Sequence, residues 1–111
     1  MTSSSPQRGE IWLAKILGER KRRPCLILSA DWLNRFAHDV SVVPITTVKR
    51  KAFPTRIELD VGEGGLREQS WVKCDQVTTI DKQRLGRAAL GRLSSVQLVE
   101  IEDAVRRALK L

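Results

Sequence analysis

The chain is poor in the residues that most enzymes use for proton and metal chemistry. Among its 111 residues there is one histidine, His38, and there are two cysteines, Cys25 and Cys74. The cysteines are far apart and neither stands in a C-x-x-C pair. That excludes a zinc knuckle, a redox dithiol and a disulfide framework of the secreted mini-protein kind. No H-x-x-x-H or H-x-x-E spacing occurs, so no metal site is expected. No glycine-rich phosphate loop opens a helix, and there is no G-x-S-x-G motif. No apolar run approaches the ~20 residues of a bilayer span. The serine-rich start, Met1 to Gln7, lacks the apolar segment of a secretory signal and reads as a frayed tail. The expected location is the cytoplasm, away from membranes. Catalysis, if there is any, must work without cofactor or metal, through Arg, Lys, Asp, Thr and Ser.

What the chain has in excess is positive charge. Twenty Lys and Arg face thirteen Asp and Glu, a formal net charge of +7. Such a charge keeps a small domain soluble, and it also sets up a field that attracts polyanions, most often nucleic acid. At 41% hydrophobic and 30% charged residues, 111 residues build one core and one domain, taken here as residues 8–111.

Short strands dominate the pattern. Glu10–Ile16 alternates with both faces apolar, and the basic loop Gly18–Arg23 follows. Pro24 opens a second strand, Cys25–Ser29, whose continuous apolar run predicts burial on both faces, with Cys25 a reduced core thiol. Asp31–Arg35 reads as a helical turn or a loop. Val40–Thr46 is a strand in which Pro44 marks a bulge or an edge. Thr47–Ala52 is a basic loop, Thr55–Leu59 a strand, and Gly62, Gly64 and Gly65 a turn. Ser70–Val77 is a further strand, Asp81 caps a short turn through Leu85, and Leu90–Leu93 is a last short strand. Ser94 and Gln97 form a capping box. Behind it Leu98, Ile101, Val105, Ala108 and Leu109 recur on one helical face, with Glu102–Arg106 and Asp103–Arg107 as i,i+4 pairs. The fold class is α+β, mainly β: a small antiparallel sheet or barrel with a C-terminal helix. Trp12 and Trp71 belong to the core in this reading, and Trp32 is exposed at an interface.

This toolkit suits one reaction well. RNA carries its own nucleophile, the 2′-OH. Cleavage needs in-line positioning, an acceptor for the 2′ proton and positive charge on the phosphorane-like transition state. Arginine supplies planar charge-assisted hydrogen bonds to phosphate, a threonine hydroxyl can donate to another phosphate oxygen, and a carboxylate can serve as base.

Four stretches carry a resemblance: Arg8-Gly9-Glu10-Ile11-Trp12, Arg22-Arg23-Pro24-Cys25-Leu26-Ile27-Leu28, Val43-Pro44-Ile45-Thr46, and the run Cys74-Asp75-Gln76-Val77-Thr78-Thr79-Ile80-Asp81 through Leu85. In this order and spacing the chain resembles the MazF/PemK toxins from Arg8 to the C-terminal helix. The resemblance implies a small SH3-like barrel, homodimeric, that cleaves single-stranded RNA at short sequences without metal, as an mRNA interferase. It leaves 2′,3′-cyclic phosphate and 5′-OH ends, and a cognate antitoxin neutralises it. It also implies that Arg23 and Thr46 are catalytic. In the PemK-like branch the matching Asp75 acts as base, with a basic residue, here Lys73 where that branch prefers Arg, two positions before it. Lys73 and Asp75 share a side if the strand continues, and Gln76 can read a base edge. Lys21, Arg22 and Lys49 are expected RNA-backbone contacts, and His38 an exposed loop residue. The short Gly18-Glu19-Arg20-Lys21-Arg22 stands where many relatives carry a longer Gly- and Gln-rich segment. The competing classes are a non-catalytic nucleic-acid-binding barrel and a gyrase-poisoning toxin of the same fold. The second is disfavoured by an end, Ala108-Leu109-Lys110-Leu111, without an aromatic tail.

Overall fold

Three successive strands with apolar residues on both sides must be covered on both sides, and the architecture follows from that. The structure, a computed structural model, describes residues 5–49 and 53–111. Strands β1 (Glu10–Ala14), β2 (Arg23–Ile27), β3 (Asp39–Thr46), β4 (Arg56–Leu59), β5 (Ser70–Lys73), β6 (Thr78–Asp81) and β7 (Leu85–Arg92) form one antiparallel sheet, with helices α1 (Asp31–Phe36) and α2 (Ser95–Leu109). The strand order is β4-β5-β3-β2-β1-β7, and β6 joins β3. Among the described residues no ladder links β4 to β7, so the sheet curls without closing by pairing. The α+β class, mainly β with a C-terminal helix, is as expected.

Alternate side chains of β1, β2 and β3 go to two separate cores. Ile11, Leu26, Val43 and Ile45 pack with Ile101, Ala104 and Val105 of α2, while Trp12, Cys25, Ile27 and Val42 pack with Ile80 and Leu85 on the other face. The capping box forms as expected: the Ser94 hydroxyl accepts from the Gln97 amide at 3.2 Å, and the Gln97 side chain accepts from the Ser94 amide at 3.1 Å. The i,i+4 ion pairs do not form. Glu102 is taken by Arg8 at 2.5 Å, Asp103 pairs with Arg106 at 3.1 Å, and Arg107 donates to the Pro54 carbonyl. Glu102 and Arg107 thus find partners outside the helix, and Asp103 takes a helix neighbour one residue nearer. Arg8 also donates to the Leu28 carbonyl and, through its amide, to Asp31, tying the first strand to both helices.

Several boundaries differ from the sequence pattern. Residues 1–4 of the expected tail and 50–52 of the basic loop lie outside the described residues, whereas Pro6 is buried and the Gln7 amide donates to Glu10. The first strand stops at Ala14, and Arg23 belongs to β2 rather than to the loop before it. The strand expected over Ser70–Val77 ends at Lys73, turns at Cys74 and Asp75, and restarts as β6. The short strand at Leu90–Leu93 is the end of the longer β7. Asp31–Phe36 is helical, and Asp81 caps the turn through Arg84 by accepting from the Gln83 amide. Pro44 is buried inside β3 and paired with Cys25. On its other edge β3 pairs with β6 up to Val42 and with β5 from Ile45. The proline, which has no N–H, falls where that edge changes neighbour.

Gly64 and Gly91 bring two backbones into contact between the β4–β5 connection and β7. A Cβ on Gly91 would lie 2.5 Å from the Gly64 carbonyl carbon. Backbone cannot move aside as a side chain can, so Gly91→Ala should destabilise the fold by roughly 2–3 kcal/mol. A lower midpoint of urea denaturation at unchanged slope would register it. Burial pushes the thiols of Cys25 and Cys74 up to about 12, the latter also through the Asp75 carboxylate. Unfolded thiols lose their protons near 9, so between these values the unfolded chain holds fewer protons and stability falls as pH rises. At pH 8 the native chain should resist a thiol reagent that labels two sites per chain in denaturant.

Candidate active site

The expected arginine and threonine stand at the ends of two neighbouring strands. The β2–β3 register runs Ile27↔Val42, Leu26↔Val43, Cys25↔Pro44; beyond this ladder Arg23 pairs with Ala14 of β1 and Thr46 with Trp71 of β5. Arg23 opens β2 with its side chain exposed, and its Nε is ion-paired with Glu19. The Glu19 amide donates to the Ile16 carbonyl at 2.9 Å, closing the turn that carries the carboxylate. Thr46 ends β3 at 6% exposure, and its hydroxyl accepts from the Val48 amide at 3.1 Å. That bond uses a lone pair and leaves the hydroxyl hydrogen to donate.

Pro24 and Thr47, the residues next to this pair, line a cleft of about 350 Å³. Its walls are mainly apolar, from Leu13, Leu66 and Leu90, and Arg67 and Glu68 supply charge. A guanidinium and a hydroxyl one residue away from the lining of such a cleft are N–H and O–H donors suited to an anion. A phosphate with a base attached matches both parts.

Asp75 and Gln76 sit elsewhere in the chain. Thr46 pairs with Trp71, and Asp75 lies four residues further on, a run of up to ~13 Å along the strand direction. Asp75 accepts from the Thr55 hydroxyl at 3.3 Å, and the Gln76 amide donates to the Lys73 carbonyl. Because β5 ends at Lys73, strand alternation no longer places Lys73 and Asp75 on one side. Lys73 is half-buried opposite Arg56. Among the described residues no hydrogen bond or ion pair joins Asp75 to Arg23 or Thr46.

The remaining candidates are exposed. Lys21 and Arg22 lie in the loop before Arg23, and Lys49 follows β3, while Arg50 and Lys51 are outside the described residues. His38 is exposed between α1 and β3, Trp12 is buried, Trp71 is half-buried and Trp32 is 66% exposed. Glu19, Arg67 and Glu68 were not singled out in the sequence. Glu19 had a signal in its spacing, four residues before Arg23, whereas nothing local marks the other two. Among the described residues, no three His, Cys, Asp or Glu side chains gather closely enough to share a metal ion. None of the described helices is long and apolar enough to cross a membrane.

The chain is similar to known proteins over nearly its whole length. Residues 7–109 match the family model of the PemK-like, MazF-like toxin of type II toxin–antitoxin systems. Endoribonuclease EndoA of Bacillus subtilis is 31% identical, with 95% of each chain covered. Endoribonuclease MazF of Staphylococcus epidermidis is also 31% identical, covering 95% of this chain and 92% of its own. A solved mycobacterial endoribonuclease in complex with its cognate antitoxin superposes with a TM-score of 0.83 at 31% identity, over 96% of each chain. Extending over nearly the whole sequence and carrying the strand-end pair Arg23 and Thr46, the chain belongs to the PemK-like, MazF-like family of type II toxins.

Proposed function

We propose that the protein is an endoribonuclease toxin that cuts single-stranded RNA at short specific sequences, in the cytoplasm, as a homodimer restrained by a cognate antitoxin. The observation that carries this reading is that Arg23 and Thr46, at the start of β2 and the end of β3, immediately precede Pro24 and Thr47, which line the cleft. The named activity of the relatives and the antitoxin bound to the mycobacterial neighbour support it.

The chemistry balances without any added reactant. The 2′ oxygen of one nucleotide attacks the adjacent phosphorus and loses its proton. The bond to the 5′ oxygen breaks and that oxygen gains a proton, giving a 2′,3′-cyclic phosphate and a 5′-OH end. No water is consumed, so no metal-activated water is required. Arg23, with Nε held toward Glu19, keeps its terminal amino groups for the phosphate oxygens and the leaving oxygen, where negative charge grows. Thr46 donates its hydroxyl to a phosphate oxygen. Lys21, Arg22 and Lys49 contact neighbouring phosphates, and the net charge of +7 draws RNA in. Lys73 at the end of β5 and Gln76 beyond the following turn meet the RNA strand. Asp75 is the base of this scheme. The run of up to ~13 Å between Thr46 and Asp75 along the strand direction supports a site shared between two copies, in which Asp75 acts on the 2′ proton. The 66% exposure of Trp32 and 77% exposure of Phe36 are consistent with an association surface.

Purified protein should cut a long single-stranded RNA in EDTA at discrete positions bearing cyclic phosphate, as mapped by primer extension. Arg23→Ala, at an exposed position, should keep a native circular-dichroism spectrum and lose cleavage by ~100-fold or more, as when one preorganised donor is removed. Full activity in that variant would remove Arg23 from the site. Asp75→Asn alone should also lose ~100-fold, as expected of a general base. Mixed dimers of Arg23→Ala and Asp75→Asn chains should recover activity, because one of their two sites then holds both wild-type groups. Absence of recovery would exclude a shared site.

A further inference from the structure

The charged side chains on the rim of the cleft have no role in the scheme above. Among the described residues Arg67 and Glu68 are the charged ones that line it, and both are exposed. Neither side chain makes a hydrogen bond or ion pair among the described residues. The backbone beneath them is fixed. The Gly62 amide donates to the Leu66 carbonyl at 2.7 Å, Leu66 is buried, and the Ser70 hydroxyl donates to the Glu68 carbonyl at 2.8 Å. A Cβ on Gly65 would fall 2.1 Å from the Leu90 carbonyl oxygen, so the segment lies directly on β7. Two opposite charges, unpaired, are therefore presented from a preorganised loop at the mouth of an apolar slot.

We infer that the cleft takes one unstacked base of the RNA beside the cut and that Glu68 and Arg67 select guanine there. The inference rests on the RNA-cleaving reading and specifies its sequence preference. At about 350 Å³ the cleft lies near the lower end of small-ligand sites, ~300–1,000 Å³, which suits one nucleoside and not a stacked run. Pro24 and Thr47 line it and directly follow Arg23 and Thr46, so the base belongs to a nucleotide flanking the scissile phosphate. Leu13, Leu66 and Leu90 offer apolar contact to its faces.

The choice of base follows from donor and acceptor patterns. A carboxylate has two acceptor oxygens, and guanine alone presents two adjacent donors, N1–H and the 2-amino group. A guanidinium fork matches the O6 and N7 acceptors of the same base. Uracil places a single donor between two acceptors. Adenine pairs one donor with one acceptor, which suits an amide. Cytosine can face arginine through O2 and N3 but gives the carboxylate a single donor. Guanine is the base that satisfies both side chains together.

The test uses short RNAs that differ only in the base at each position flanking the mapped cut. At one such position the wild-type protein should prefer guanine over adenine by about tenfold or more in kcat/KM. Inosine, which lacks the 2-amino group, should fall between them. Glu68→Gln should bring the guanine-to-inosine ratio close to one, and Arg67→Ala should lower the guanine-to-adenine ratio. Binding of a substrate with 2′-deoxyribose at the cut should show the same order, separating base recognition from chemistry. Cleavage without any guanine preference beside the cut, or a preference that Glu68→Gln leaves intact, would overturn this inference and leave the nuclease reading standing. Failure of the wild-type protein to cut any RNA would overturn both.

Discussion

Strand β3 is shared by two neighbours on one edge, and the rest of the molecule hangs on that sharing. Its first half pairs with β6, its last two residues pair with β5, and β2 lies along the opposite edge. Proline cannot donate to a ladder, which usually confines it to the rim of a sheet. Pro44 is tolerated inside this sheet because it stands where the ladder lapses, between the end of one partner and the start of the next. The change of neighbour turns the sheet and carries Thr46 to its lip, where Arg23 arrives from β2. A buried hydrogen-bonded group secures the connection between those strands. Asn34 donates to the Ser29 carbonyl at 2.9 Å, and the Ser29 hydroxyl accepts from the Ser41 amide at 3.0 Å. Buried polar groups left unpaired would cost about 1–3 kcal/mol each, so this network fixes α1 against β3.

The strength of the Glu19–Arg23 pair matters for its use. Arg23 is 51% and Glu19 33% exposed, in the regime where an ion pair contributes only ~0–1 kcal/mol. Such a contact orients a guanidinium without holding it against a phosphate that offers two charge-assisted bonds. A buried partner would have made the arginine rigid and costly to redirect. The exposed one leaves it aligned and available.

How much of this could be read from residues alone depends on how local each feature is. The two-faced burial of β1 and β2 was legible because Glu10–Ile16 carries apolar residues on both faces and Cys25–Leu28 is apolar at every position, and the start of α2 because a capping box is a local device. The break after Lys73 was not legible. Cys74 and Asp75 turn without glycine or proline, and the β-forming Val77 continues the pattern across the gap, so the placement of Asp75 relative to Lys73 was misjudged with it. Strand β7 was hidden by Gly86, Arg87, Ala88 and Gly91, residues with little strand preference. Its pairing with β1 overrides that preference. Arg23 and Thr46 were singled out by the family resemblance, whose motifs fall on recognisable strands. Arg67 and Glu68 were missed because the cleft they face is assembled from β1, β2, β7 and the connection before β5, which no window of sequence contains.

That assembly also explains where the glycines fall. The segment Glu63–Gly65 bears on β7 through bare backbone at Gly64, Gly65 and Gly91, and Leu90 beside this junction is a wall of the cleft. Side chains at the junction would lift the loop, and Leu66, Arg67 and Glu68 would move with it. The contact that completes the packing beside Ile11 and Leu93 therefore also sets the width of the cleft. In a chain this short, few residues remain to build a binding loop independent of the core. The cleft is instead an extension of the packing, and its geometry is as rigid as the fold that carries it.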